Sequence, residues 1–216
     1  MLFCKYECFR LLDEYQIVIW SDYDVVILKD ISELLEPCAS NIKMVFSPSD
    51  TVGGAFTDKI NEIDLKYDMN RIAICLPVFV LYDSLNNYYS YYEWCIKNTK
   101  ELGHYLHLPE QAVVNLLLQE YNIAIDDIYC DKIYSTHPRD DKVSEKTKIV
   151  HAYGQPKFWT GMNNAIWNNN YEKWLRIGGS KVPDAKTVKK RGLKKIFSKL
   201  IPLMLKTAIK KLINKA

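Results

Sequence analysis

Gln16-Ile17-Val18-Ile19-Trp20-Ser21-Asp22-Tyr23-Asp24-Val25-Val26-Ile27-Leu28 is the segment on which the reading of this chain turns. Gln16 to Trp20 is a short β-branched apolar run, which predicts a buried strand. The run ends on two carboxylates one residue apart, and the apolar pattern resumes at Val25. In α/β sheets, ligands collect where strands end and the chain leaves the core. Two carboxylates in a bent segment can both turn toward one hard cation, which takes oxygen ligands. A solvated turn produces the same letters, so Asp22 and Asp24 need distant partners before they read as a site.

Further out, the pattern alternates between the two periods. Asp30-Ile31-Ser32-Glu33 has capping-box spacing and predicts a short helix over 31–35 that Pro37 stops. Met44-Val45-Phe46 and Val78-Phe79-Val80-Leu81 read as buried strands, and Ile123 to Ile125 and Lys148 to Val150 as further strand candidates. Leu85 to Leu102 reads as a helix stopped by Gly103. Pro109 to Tyr121 reads as another, with Pro in the first turn and Val113, Leu116, Leu117 and Tyr121 at core-facing spacing. Tyr171 to Ile177 reads as a last short helix. Mixed strands and helices without internal repeat predict an α/β fold.

The 216 residues, 48% hydrophobic and 25% charged, suffice for one domain with a sizeable core and exclude disorder. Six cysteines (4, 8, 38, 75, 95, 130) form no Cys-x-x-Cys pair, which predicts neither a zinc site nor a disulfide framework, and a reduced, cytoplasmic protein. The net charge of +3 hides a division. From Lys181 on there are twelve Lys and Arg against Asp184 alone, a net of +11, while the remaining 180 residues net −8. The seam falls at Gly178-Gly179-Ser180, predicting a body over 1–178 and a basic tail over 179–216.

Two more clusters carry chemistry. His151-Ala152-Tyr153-Gly154-Gln155-Pro156-Lys157-Phe158-Trp159 follows a strand candidate. It offers a metal-binding imidazole, a glycine whose N–H can approach an anion, and a positive charge. Glu110-Gln111 opens a helix with Asn115 one turn later, placing carboxylate and amide groups where they can hold hydroxyls. A plain helix-start acid and a half-buried histidine beside a core Trp are the bland counterparts.

The three clusters together resemble glycosyltransferase family 8, whose members have the GT-A fold. Phe9-Arg10-Leu11-Leu12, Ile17 to Ile27 and Asp30 to Leu35 look like the family's Asp-x-Asp block and its flanks. Glu110-Gln111-Ala112-Val113-Val114-Asn115 looks like its Asp-Gln-Asp-x-x-Asn block. His151-x-x-Gly154-x-x-Lys157-x-Trp159 looks like its His-x-x-Gly-x-x-Lys-Pro-Trp block.

The resemblance implies a GT-A-like mixed sheet flanked by helices. It also implies retaining transfer of a hexose from a UDP-sugar to a cell-surface glycan or lipid-linked acceptor, as in lipopolysaccharide biosynthesis. Asp22, Asp24 and His151 would hold Mn2+ or Mg2+, and Gly154 and Lys157 would face the diphosphate. Glu110 would hold donor hydroxyls, Gln111 would sit by the anomeric carbon, and Arg10 near the donor sugar or diphosphate. The family has a mononucleotide-binding half ahead of the Phe9-Arg10 block, and the expectation is that this chain lacks it. Cys75-Leu76-Pro77 stands where the family has Asn-Ala-Gly, Ala112 replaces the second acid and Phe158 the proline. A truncated, non-catalytic remnant acting as a membrane-surface module is the alternative. Either form predicts an exposed sheet edge and self-association.

Lys186 to Ala216 places Leu193, Phe197, Leu200, Met204, Ala208 and Leu212 on roughly one helical stripe among lysines, with a kink at Pro202. A basic amphipathic segment predicts docking to an anionic membrane, here peripherally on the inner face of the cell membrane. Nucleic acid is not expected, since Phe197 is the tail's only aromatic and no stacking platform exists. His104-x-x-His107 reads as a loop or helix start rather than a metal pair. Tyr88, Tyr89, Tyr91, Tyr92 and Trp94 read mainly as core, with acceptor-sugar stacking as the sharper option.

Overall fold

A computed structural model describes residues 3–36, 42–45, 51–125, 135–136, 143–154, 156–160, 162 and 164–181. These fall into two compact units, one running through His151 and one from Ala152 onward.

The first unit is organised around β4 (Val78–Tyr82), after α1 (Cys4–Arg10), β1 (Ile17–Ser21), β2 (Val25–Ile27) and β3 (Ile42–Val45). All five β4 residues are buried, because the strand pairs antiparallel with β1 on one side and β3 on the other. Its alternating side chains serve two separate clusters. Phe79 and Leu81 pack with Tyr6, Phe9, Leu12, Val113 and Leu117. Val78, Val80 and Tyr82 pack with Leu34 and Ile149. The helices α2 (Tyr88–Glu101) and α3 (Pro109–Glu120) follow, then β5 (Ser135–Thr136) and β6 (Ile149–His151). A second sheet has the order β2-β6-β5, with β2 and β6 antiparallel and β5 and β6 parallel.

Helix α3 is buried over every residue from Ala112 to Leu118 because it lies between two clusters. Val113, Val114, Leu117 and Leu118 face the β4 core, whereas Ala112 and Leu116 face Val52, Phe56 and Ile60 of the 51–72 excursion. A helix apolar on most sides is what such a sandwich requires.

Several elements differ from the sequence prediction. β1 is not a buried strand: only Val18 is buried, and Ile17 and Ile19 are 37% and 46% exposed. Val18 packs into the core beside Phe79 and Leu81, while Ile17 and Ile19 point to the opposite face and are exposed. Residues 32–35 form a 3-10 turn rather than an α-helix, because Asp30 accepts both the Ser32 N–H and its hydroxyl, a local turn that competes with helix entry. Helix α2 starts at Tyr88 instead of Leu85, since Asn87 has φ +63. Tyr121 ends α3 at 40% exposure, its ring 4.7 Å from that of Tyr91, and Asn122 at φ +48 turns the chain away, so residues 123–125 form no strand. Pro37 and Phe46 lie outside the described residues.

The second unit contains a 3-10 turn at Phe158–Thr160 and helix α4 (Ala165–Arg176). The helix begins six residues before the predicted Tyr171, because the Asn164 side chain caps it by accepting the Trp167 N–H at 3.0 Å. Trp167 stacks on Phe158 at 5.1 Å. The expected seam at 178/179 is one of composition, and residues 182–216 lie outside the described set.

Candidate metal centre

Asp22 and Asp24 sit where the chain leaves one sheet for the other. Asp22 closes the β1–β4 ladder by donating its N–H to the Pro77 carbonyl at 2.7 Å, and its own carbonyl receives the Val25 N–H at 3.3 Å. Three residues therefore carry the backbone from the end of β1 to the start of β2. The first β2 residue, Val25, is registered opposite His151, the last residue of β6. This pairing brings an imidazole to the two acids from a position 127 residues further along the chain than Asp24.

The His151 Nε2 lies 3.4 Å from the Asp24 Oδ1 and 4.0 Å from the Asp22 Oδ2. One donor atom from each of the three residues lies within 4.8 Å of the others. Donors about 2.2 Å from a shared ion stand roughly 3 Å apart when adjacent and just over 4 Å apart when opposite. The separations match this window to within small side-chain rotations. Asp24 is 4% exposed, and the His151 and Asp22 side chains are 13% and 19% exposed. Among the described residues this is the group of His, Cys, Asp and Glu side chains assembled closely enough for a metal. Two carboxylates and an imidazole suit Mn2+, and also Mg2+.

Lys5 is the part of the site that motif reading missed. Its Nζ lies 2.9 Å from the Asp22 Oδ1 and donates to the Oδ2 at 3.1 Å and to the Leu76 carbonyl at 3.0 Å. Trp20 donates its indole N–H to the same carboxylate at 2.7 Å, and the ammonium stands 5.8 Å from the Trp20 ring. Arg10, which the resemblance places near the donor, pairs with Glu7 at 3.1 Å and lies over the Tyr92 ring at 5.2 Å. The available signal was helical spacing: Lys5 lies within α1, whose Tyr6 and Phe9 enter the core.

Cys75-Leu76-Pro77 contributes through its backbone. The Leu76 carbonyl holds Lys5 and the Pro77 carbonyl holds Asp22, so a missing N–H at residue 77 costs this arrangement nothing. Glu110 lies in the first turn of α3, and Gln111 beside it is also part-buried. Burial raises the Glu110 carboxyl pKa, with Lys5 pulling it down and Asp22 pushing it up, so it shares their electrostatic field. Asn115 is no hydroxyl binder: it is 3% exposed, and its amide both receives the Ile74 N–H and donates to the Ile74 and Gln111 carbonyls. Its role is to tie α3 to the chain entering β4.

Gly154 and Lys157 belong to the second unit. Gly154 has φ +68, a conformation that favours glycine, and Lys157 donates to the Ala152 carbonyl at 2.8 Å. His104 and His107 are both exposed, the former within a 3-10 turn, in keeping with a loop. Cys4, Cys8, Cys75 and Cys95 are free thiols.

Comparison with solved structures places this architecture. The apo structure of the bifunctional glycosyltransferase WbbM superposes with a TM-score of 0.55 at 13% identity, over 88% of this chain and 37% of that one. The apo glycosyltransferase GlyE of Streptococcus pneumoniae TIGR4 gives 0.53 at 12% identity, over 90% and 46%. The fold is similar to that of glycosyltransferases. The galactosyltransferase LgtC, solved with donor and acceptor sugar analogues, gives 0.51 at 11% identity, over 83% and 68%. The chain thus spans less than half the length of the first two glycosyltransferases. No protein-family model and no curated protein matches the sequence.

Proposed function

We propose that this chain is a metal-dependent glycosyltransferase of the family 8 type. In this reading it moves a hexose from a UDP-sugar to a cell-surface glycan or lipid-linked acceptor, with retention of configuration. The observation that carries the reading is the convergence of Asp22, Asp24 and His151 on one point of a glycosyltransferase-like fold. Breaking the bond from the anomeric carbon to the diphosphate concentrates negative charge on the leaving group. Those three side chains would hold a divalent ion, which would supply Lewis-acid stabilisation of that charge. The family resemblance assigns Gly154 and Lys157 to diphosphate binding and Arg10 to the donor. Glu110 holds donor hydroxyls, and Gln111 flanks the anomeric carbon on the face opposite the leaving group. The acceptor oxygen bonds to that carbon from the leaving-group face, and its proton passes to the departing phosphate.

The site is tested by Mn2+-dependent binding and hydrolysis of UDP-sugars. Asp22→Ala and Asp24→Ala are each expected to lower hydrolysis by about 100-fold or more while leaving the fold intact. Equal signals from wild type and both variants would leave the alternative, a non-catalytic glycosyltransferase-like module. In either case residues 186–216 are assigned to an anionic membrane surface, placing the protein peripherally on the inner face. No described helix is long and apolar enough to cross a membrane.

A further inference from the structure

We infer that Lys5 is a charge gate on the metal centre, holding Asp22 until a diphosphate arrives and so coupling cation binding to diphosphate binding. The inference rests on the metal-centre reading above and adds a device to it. The Asp22 Oδ1 is engaged by the Trp20 indole and stands 2.9 Å from Lys5, and its Oδ2 accepts from Lys5 at 3.1 Å. That Oδ2 is also the oxygen 4.0 Å from the His151 Nε2, on the side where a cation would sit. Lys5 and a divalent ion therefore compete for one oxygen.

The ammonium is closely held beside Asp22. Its side chain is 15% exposed, its Nζ is held by the Leu76 carbonyl, and it lines a small cavity with Phe9, Leu76 and Phe79. A divalent ion entering alone meets an adjacent positive charge in a part-buried site, where repulsion is far stronger than in water. A diphosphate arriving with the ion brings negative charge to both, and the flexible lysine stem lets Nζ turn from Asp22 to a phosphate oxygen. By linkage, whatever Lys5 subtracts from cation affinity in the absence of diphosphate reappears as mutual enhancement when both are present.

The test uses Mn2+ and inorganic pyrophosphate, with Mn2+ affinity read by electron paramagnetic resonance on wild type, Lys5→Met and Lys5→Arg. Lys5→Met is expected to bind Mn2+ alone about tenfold more tightly, and to lose a similar factor from the enhancement that pyrophosphate gives. Lys5→Arg, which keeps the charge, is expected to stay near wild type. Folded Lys5→Met that binds Mn2+ no better than wild type overturns the gate while leaving the metal centre standing. Absence of Mn2+ binding to wild type and Lys5→Met alike overturns both. A second measurement needs no variant: acetylation of Lys5, followed by mass spectrometry. Its reactivity should rise with Mn2+ alone and fall again with pyrophosphate, and an unchanged pattern across the three conditions also overturns the gate.

Discussion

Lys5 attracts two carboxylates, Asp22 and Glu110, whose surroundings differ. Lys5 bonds Asp22 directly, whereas Glu110 lies within reach of its field but has its pKa raised by burial. A carboxyl whose pKa is higher folded than unfolded favours folding fully only below its unfolded value. That contribution is lost as pH rises through the folded value. Ionised Glu110 therefore costs stability at neutral pH, and Glu110→Gln should raise the melting temperature of the metal-free protein at pH 7. The gain should shrink toward roughly pH 4, where the wild-type carboxyl carries its proton. A gain that stays constant with pH would place the effect in packing instead. The same substitution should weaken donor binding if Glu110 holds sugar hydroxyls.

Among the elements, α3 shows how one polar side chain can organise an apolar helix. Asn115 is buried between two hydrophobic clusters and satisfies both the N–H and the carbonyl of Ile74. Asn115→Ala leaves both backbone groups without partners, at a cost of about 2–4 kcal/mol in urea unfolding. A loss under about 0.5 kcal/mol would mean that neighbouring groups or water replace the amide. The β2–β6 pair depends on register in the same strict sense. Because side chains alternate along a strand, deleting Tyr23 forces either a one-residue slip against β6 or a strained connection from β1. Mn2+ affinity should then fall by at least tenfold even with both aspartates and His151 present, as titration of that variant would reveal.

For the whole molecule, two proposals concern partners. Ile17 and Ile19 are exposed on a strand that, among the described residues, is one of the two outer strands of its sheet. We propose that this edge drives self-association, so Ile19→Lys should lower the apparent mass in light scattering at high protein concentration. An unchanged mass would exonerate the strand. The second is the membrane docking proposed for the basic tail: flotation with anionic vesicles should fall sharply when residues 182–216 are removed and when salt is raised. Equal flotation of full-length and shortened protein would defeat the anchor.

The β1–turn–β2 segment, the buried β4 and the long helix behind Pro109 were legible because each is a local pattern of period and punctuation. So were the residue types of the metal centre, since Asp-x-Asp and the histidine block are short strings. What spacing could not convey was competition between local and distant contacts. Asp30 bonds Ser32 and prevents an α-helix, Asn87 and Asn122 adopt left-handed conformations, and Asn164 starts α4 early. The sequence by itself determined the α/β alternation, the charge division and the kinds of ligand on offer, because these depend on neighbours along the chain. Only the tertiary structure decided that His151 faces Asp24 through the β2–β6 register, that Lys5 holds Asp22, and that Asn115 serves the backbone. Those outcomes follow from which strands pair and which helices pack, a balance of many weak contacts between residues far apart in the chain.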